Sequence, residues 1–472
     1  MTVTIVRFRN DLRIDDHPAL LAAIQRSQPV VPVFVWPPDE AGNWAPGAAS
    51  RWWLDRSLRS LAADLQRRGS RLIIRSGDIH EEIAKLIEET TADALYWTRD
   101  FEPALLESDQ RLETSLTKRG VEAISYSGRL LFEPDDVRTK QGNPYRVFTP
   151  FWKACLNLDP PREPISAPRK IPAPQDWPET ESIDSLGLAP QLDWADQFSQ
   201  RWQPGEQGAN KKLKRFLKQA VADYETGRDR PDDYGTSRMS PHLHFGEISP
   251  HKIWYALQTQ ASVGSQAYLR ELGWREFAYH VLINFPETPD QPLRPQFENF
   301  PWQQNAKALR KWQRGQTGYP IVDAGMRELW TTGWMHNRVR MIVASFLTKD
   351  LLIDWRQGAR WFWDTLVDAD LANNTMGWQW TAGSGADAAP YFRIFNPVRQ
   401  GEKFDPAGDY VRQWVPELKS LPKRWIHNPW EAPADVLAEA GVELGEDYPQ
   451  PIVDHSEARK AALAAYEEIK AT

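Results

Sequence analysis

Along the first 130 residues, short apolar runs alternate with segments of helical period. The runs are Thr2–Phe8 (TVTIVRF), Pro29–Trp36 (PVVPVFVW), Arg71–Arg75 (RLIIR), Ala94–Trp97 (ALYW) and Val121–Ser125. They are short and rich in β-branched or aromatic residues, the pattern of strands buried in a parallel sheet. Between them, Pro18–Arg26, Ser50–Arg68, Ile79–Glu89 and Glu107–Arg119 carry apolar residues at helical spacing, with Ser50 a plausible N-cap. Strand and helix in strict alternation predict an α/β parallel sheet with helices on its faces.

From Leu131 to about Pro204 the pattern fails. Pro160, Pro161, Pro164, Pro168, Pro172 and Pro174 crowd together, and only Gly142–Leu156 ends in an apolar, helix-like run. This stretch reads as a connector wrapped on the surface. After Gly205 strand-like alternation almost disappears. Asn210–Glu225, Pro250–Ala261, Ser265–Ile283, Asn305–Arg314, Pro320–Thr331, His336–Lys349 and Gly358–Leu366 all read as helices, and the terminal SEARKAALAAYEEIKAT is helix-like. The expected division is an α/β domain over 1–130, a connector over 131–204 and an all-helical domain over 205–472.

Composition narrows the function. The chain has 472 residues and a formal charge of −7, so it is no globally basic nucleic-acid binder, although a local basic face is compatible with that balance. Tryptophan is abundant, with 23 residues, which suits stacking on flat ligands or carrying electrons as well as core packing. A single cysteine, Cys155, forbids an internal disulfide and any cysteine-based zinc cluster. The N-terminal stretch lacks the apolar core of a secretory signal, and no run approaches the ~20 apolar residues of a membrane span. A soluble, cytoplasmic protein of a reducing compartment is the expectation.

The first strand is followed by RNDLRIDDHP, with no glycine-rich phosphate loop. A ligand of such a sheet is expected at the carboxyl ends of the strands, near Arg9–Arg13, Trp36–Trp44 and Arg99–Glu102. Other chemistry clusters in the helical part. In YETGRDRPDDYGTSRMS, Gly235, Thr236, Ser237, Arg238 and Ser240 form either an ordinary capped turn or a phosphate site. In ELGWREF, Glu271 and Arg275 stand at i,i+4 on a helix. Arg338 and Arg340, in TGWMHNRVRMIVASFL, have no acid nearby in sequence and want a carboxylate or phosphate. His336 alone reads as a structural histidine. The run Asp368–Gly385 (DADLANNTMGWQWTAGSG) packs carboxylates, amides and two tryptophans closely, as either a helix cap with surface indoles or a cofactor site. Ser384 lacks the spacing of a nucleophile elbow, and no metal-ligand motif is present. These residues point to a bound cofactor rather than to side-chain hydrolysis.

Taken together, FRNDLRIDDHPAL, RDRPDDYGTSRMSPHLHFGEISP, WREF, TGYPIVDAGMR, GWMHNRVRMIVASFLTKDLLIDWR and DADLANNTMGWQWTAGSGADAAPYFRIFNP resemble the DNA photolyase/cryptochrome family over nearly the whole chain. The resemblance is greatest to bacterial cyclobutane pyrimidine dimer photolyases of the class related to plant cryptochromes. It implies an antenna domain and a helical domain holding U-shaped FAD. Tyr224 and the run Thr236, Ser237, Arg238, Met239 and Ser240 would bind its phosphates and ribityl part. Asp368, Ala369 and Asp370 would line the flavin, with Arg340 pairing to Asp368 and Asn374 facing flavin N5. Plant-type cryptochromes usually carry Asp at that last position and insect ones Cys.

The resemblance further implies that Trp378, Trp355 and Trp302 relay electrons from the surface. Trp380 and Trp274 would clasp a flipped lesion, with Glu271, Asn337 and Met341 at the pocket wall. Two histidines are typical of (6-4) photolyases where Asn337 and Met341 stand, so cyclobutane dimers are favoured. Arg228, Arg275, Arg338 and Gln400 fall on DNA-contacting positions. Glu102 matches the acidic residue that holds the antenna pterin, which favours 5,10-methenyltetrahydrofolate, while His244 departs from the Lys common in deazaflavin-binding relatives. UV-damaged DNA is the implied partner of a monomer with no obligate protein partner. A signalling cryptochrome and a single-strand-preferring relative are the rival readings.

Overall fold

The computed structural model describes residues 2–38, 40–190, 193–260, 262–388 and 393–471. Five strands, β1 (Val3–Phe8), β2 (Val30–Trp36), β3 (Ile73–Ser76), β4 (Ala92–Thr98) and β5 (Glu122–Tyr126), form one sheet in the order β3-β2-β1-β4-β5. Every pairing is parallel. All six residues of β1 are buried because it lies at the centre, with a helix layer on each face. Alternate side chains serve the two layers: Val6 and Phe8 pack with Leu20, Trp53 and Leu58, whereas Val3 and Ile5 pack with Ile83, Leu86 and Leu112. The layers come from α1 (Pro18–Gln25), α2 (Ala48–Gln66), α3 (Ile79–Thr90) and α4 (Pro103–Lys118).

Each expected strand and helix of this part is present, with ends moved by a few residues. Ser50, however, is not the N-cap of α2. Gly47 takes that position, and the Ala48 N–H donates to Asp364 Oδ1 at 2.9 Å. The cap comes from the helical domain, across a distance that no local pattern encodes. Ser50 turns inward, its hydroxyl 3.4 Å from the Leu366 carbonyl.

The connector borders the sheet and seals its edge. Ile74 N–H donates to Thr180 Oγ1 at 2.8 Å, and its carbonyl accepts from Glu181 N–H at 3.0 Å. The outer edge of β3 is thereby closed to other strands. Its helix α5 (Phe148–Cys155) belongs elsewhere: Phe148, Phe151 and Trp152 pack into a core of the helical domain with Tyr268, Leu272 and Phe277.

Beyond it follow α6 (Glu206–Gln219), α7 (Pro250–Gln258), α8 (Val263–Asn284), α9 (Ala306–Gln313), α10 (Pro320–Thr332), α11 (Asn337–Ser345), α12 (Trp355–Thr365), α13 (Leu371–Ala382), α14 (Pro397–Phe404) and α15 (His455–Ala471). Shorter turns lie between them. Two expected helices divide. Asn210–Glu225 becomes α6 and the short turn Tyr224–Gly227, and His336–Lys349 ends as helix at Ser345 before a π-turn over Phe346–Asp350. The expected end of α7 at Ala261 lies outside the described residues, as does 389–392 of the last family motif. No described residue beyond 205 belongs to a strand, as the loss of alternation foretold.

The two domains are locked by buried polar contacts. Glu247 accepts from Trp53 Nε1 at 2.9 Å and from Gly205 N–H at 2.6 Å, and it pairs with His242. Gly246 stands at φ +62°, and a Cβ there would lie 2.1 Å from the Asn10 carbonyl oxygen, so glycine is required for this approach. Replacing Glu247 with Ala leaves the Trp53 and Gly205 donors buried without their acceptor. We expect a loss of about 3 kcal/mol or more, measured as earlier unfolding in urea.

Candidate functional site

The centre of the site is the start of α13. Asp370 is its N-cap, accepting from Asn373 N–H at 2.9 Å and from Asn373 Nδ2 at 2.7 Å. The Tyr279 hydroxyl, from α8, donates to Asp370 Oδ2 at 2.6 Å. Arg129 donates in turn to that hydroxyl, from Nη2 at 2.6 Å and Nε at 3.1 Å. Burial works to raise the Asp370 carboxyl, but His244, Arg129 and Arg275 outweigh it and hold the group well below the usual range. Asp370 is a fixed anion. One turn on, Asn374 is buried and donates from Nδ2 to the Ala359 carbonyl at 3.1 Å, so α12 sets its orientation.

Arg340 of α11 donates from Nη2 to both Asp368 oxygens, at 2.8 and 3.0 Å, and from Nε to the Met335 carbonyl at 2.8 Å. The acid its sequence neighbourhood lacked is supplied by the loop before α13. Trp334, its ring 5.9 Å from the Arg340 guanidinium, links this pair to the turn Gly235–Ser240. Ser237 Oγ lies 2.8 Å from the Tyr268 hydroxyl, and Tyr268 packs edge-on against buried Tyr224 at 5.0 Å. Trp334 Nε1 donates to Ser240 Oγ at 3.3 Å, with the Arg238 guanidinium 4.7 Å from the Trp334 ring. Arg238 adopts φ +53°, rare for a residue with a side chain, and its buried Nε has no hydrogen-bond partner. Hydroxyls, a strained cationic turn and an unsatisfied guanidinium N–H fit the phosphates of a dinucleotide cofactor.

A rim of different character borders this cradle. The Trp274 ring stacks on Phe148 at 3.8 Å with planes 9° apart. Glu271 pairs with Arg228, not with Arg275 as i,i+4 spacing suggested. Arg275 instead points inward, buried against Glu276 at 3.1 Å and over the Tyr279 ring at 5.1 Å. That interior position removes it from any DNA-facing surface. Arg338 pairs with Asp229 at 2.6 Å and lies 3.8 Å from the Met341 sulfur. Asn337 is exposed, and Gln400 is half-buried on α14. Trp380, half-buried, lines a small cavity with Ser345, Lys349 and Thr381. His336 caps α11, accepting from Arg338 N–H at 3.2 Å, and burial pushes its imidazole down to about 3, so it is neutral and structural.

Trp378 and Trp355 are both buried in the largest helical core, and Trp302 packs half-buried at its border, 4.3 Å from Phe300. The Trp378 ring lies 5.0 Å from Phe362 and 6.2 Å from Trp312. Gly358 is glycine because a Cβ would meet Trp378 at 2.1 Å.

Glu102 is buried between the domains, 3.9 Å from Arg129 Nη2, and burial followed by Asp100 pushes its carboxyl up to about 8. Sequence reading missed Arg129, Tyr279, Tyr268 and Trp334. Arg129 carried no clear signal, because Glu133 stands four residues on and offers an ordinary local partner. Tyr279 carried none, since an aromatic on a buried helix reads as core. Among the described residues no group of His, Cys, Asp and Glu side chains is arranged to hold a metal ion, and no helix is long and apolar enough to cross a membrane.

Fold and cradle together define a helical dinucleotide-cofactor domain closed by an α/β domain. Comparison with known proteins agrees. A family described as the FAD binding domain of DNA photolyase matches residues 268–468, and one described as DNA photolyase matches 4–173. The chain is 50% identical to a deoxyribodipyrimidine photo-lyase of Agrobacterium fabrum over 99% of its own length and 98% of the relative. It is 40% identical to Cryptochrome-2 of Arabidopsis thaliana over 98% of its length and 78% of that protein. The crystal structure of a bacterial class III photolyase from Agrobacterium tumefaciens superposes with a TM-score of 0.97 at 50% identity, covering 100% of this chain and 98% of the other. The chain belongs to the photolyase/cryptochrome family, and its helical part is an FAD-binding domain.

Replacing Asp370 with Ala removes the α13 cap and strips Tyr279 and Arg129 of their acceptor. We expect about 1 kcal/mol from the cap and up to ~3 kcal/mol more from the stranded charge. The measurement is flavin absorbance per mole of purified protein together with the thermal midpoint.

Proposed function

We propose that the protein is a light-driven DNA-repair enzyme, a deoxyribodipyrimidine photo-lyase that splits cyclobutane pyrimidine dimers with FAD. The relatives include both photo-lyases and cryptochromes, so the site must carry the choice between them. One observation carries it: beside the cradle, the half-buried Trp274 ring is stacked on Phe148, and Glu271 stands a turn before it on α8. A pyrimidine dimer is apolar on its sides and bears carbonyls and imides on its edges, so an aromatic wall with a carboxylate and an amide suits it. Trp380 closes the pocket opposite Trp274, and Asn337 and Met341 complete its wall. Asn374, a neutral amide where plant-type cryptochromes usually carry Asp, supports repair over signalling.

Bound FAD, when reduced and excited by blue light, would supply one electron to the dimer and recover it after the ring opens. The chain's own residues do the rest. Tyr224, Thr236, Ser237, Arg238, Met239 and Ser240 hold the phosphates and ribityl part. Arg340, Asp368, Ala369 and Asp370 fix the ring system, and Asn374 presents a group that orients a proton without titrating. Trp378, Trp355 and Trp302 form the route for electrons from the surface. Arg228, Arg338 and Gln400 meet DNA phosphates, and Arg228 and Arg338 must exchange Glu271 and Asp229 for them. This makes binding to an acidic protein strongly salt-dependent.

We keep 1–130, 131–204 and 205–472 as the working division of the chain. The antenna proposed is 5,10-methenyltetrahydrofolate rather than a deazaflavin. The working form is a cytoplasmic monomer.

The test is loss of dimers from UV-irradiated DNA under blue light and none in the dark. Absence of light-dependent loss from flavin-loaded protein overturns the repair reading. Trp274→Ala should weaken binding to dimer-containing DNA by about 1–3 kcal/mol, measured by titration at fixed salt. Trp378→Phe should preserve folding and flavin content while abolishing blue-light bleaching of the oxidised flavin absorbance.

A further inference from the structure

Three carboxyl groups converge on one buried guanidinium where the domains meet. Arg129 Nε lies 3.6 Å from Asp100 Oδ1, and Nη2 lies 3.7 Å from Asp370 Oδ2 and 3.9 Å from Glu102 Oε1. All four side chains are buried. Three anions about one cation cannot be accommodated cheaply in such a place, so one of them must be neutral.

Hydrogen-bond donors identify which. Asp100 accepts from Phe101 N–H at 2.7 Å and Asn10 Nδ2 at 3.2 Å. Asp370 accepts from the Tyr279 hydroxyl at 2.6 Å and Asn373 N–H at 2.9 Å, with His244 Nδ1 at 3.5 Å. Glu102 draws on Arg129 at the longest of the three separations. The other cations nearby are already engaged: Arg9 with Asp109 at 2.9 Å and Glu40 at 3.4 Å, and Arg275 with Glu276 at 3.1 Å.

We propose that Glu102 holds a proton in the resting protein and thereby keeps Arg129 committed to Asp370, which makes it a positioning residue for the cofactor cradle. Its action runs through Arg129 and Tyr279 to the N-cap of α13, one turn before Asn374. Burial, then Asp100, pushes the Glu102 carboxyl up to about 8, while Asp100 and Asp370 are both held low. Above that pH a third anion competes for Arg129 and draws it from Asp370. The sign follows from linkage. The folded state keeps the proton up to about 8, whereas the unfolded chain releases it near 4.5. This group's contribution to stability is therefore full below about 4.5, falls as pH rises to about 8, and is flat beyond.

The proposal rests on the cradle reading only for its cofactor readout. The experiment compares wild type with Glu102→Gln, isosteric with the protonated acid, by infrared spectroscopy and by flavin absorbance across this pH range. We expect a protonated-carboxyl carbonyl band in neutral wild type that Glu102→Gln lacks and that fades as pH passes about 8. Glu276, itself pushed up to about 7, contributes equally to both proteins, so the difference spectrum isolates Glu102. We also expect wild type to lose bound flavin on the alkaline side of that transition and Glu102→Gln to lose the transition. No Glu102 band at neutral pH, or an unchanged alkaline transition in Glu102→Gln, overturns the proposal. If Glu102→Gln does not fold, Glu102→Met, neutral and of similar length, carries the same comparison. A protein that binds no flavin would sink the cradle reading and leave the infrared result to decide Glu102.

Discussion

The buried contact between Arg129, Tyr279 and Asp370 is the constraint on which the rest of the site depends. Arg129 leads out of β5, Tyr279 is on α8, and Asp370 caps α13. Arg129 also donates to the Asn10 and His244 carbonyls at 3.3 Å each, so one guanidinium ties both domains to the helix that carries Asn374, Trp378 and Trp380. A buried cation is costly without such satisfaction, and the cost makes the arrangement specific. Moving any of the three elements would leave a charge stranded.

The two domains consequently act as one framework. The α/β domain has no glycine-rich loop, and its polar groups serve the interface instead: Arg13 donates to the Gly246 carbonyl and Trp53 of α2 to Glu247. The helical domain returns the favour by capping α2 through Asp364. The Trp334 ring joins the two parts of the cradle, with the Arg340 guanidinium 5.9 Å and the Arg238 guanidinium 4.7 Å from its centre. The strain and unpaired N–H at Arg238 are sustained by that surrounding packing.

Charge is handled the same way at the rim. Arg228 and Arg338 are each held by a carboxylate, Glu271 and Asp229. On a protein of net charge −7 these two cations are already neutralised locally, and any phosphate that binds them must displace a carboxylate. The aromatic parts of the rim are held differently, by face-to-face stacking of Trp274 on Phe148, which belongs to the connector rather than to the helical segment of the chain.

Much of this was legible in the sequence. Strands of period two and helices of period 3.6 announce themselves, because burial of one face is a local requirement written into each segment. Family motifs added site residues that spacing alone left ambiguous. Long-range polar pairing was beyond reach. Glu271 chose Arg228 over Arg275 because its helix turns Arg275 into the core, and α2 took its cap from Asp364 rather than starting at Ser50. Glu102 lies against Arg129, a meeting that no spacing along the chain announced. The sequence by itself determined the elements, their order and the residue types available for chemistry, since those follow from local periodicity and composition. Only the tertiary structure decided which charges meet and which carboxyls are buried, because desolvation and partner geometry come from elements far apart in the chain.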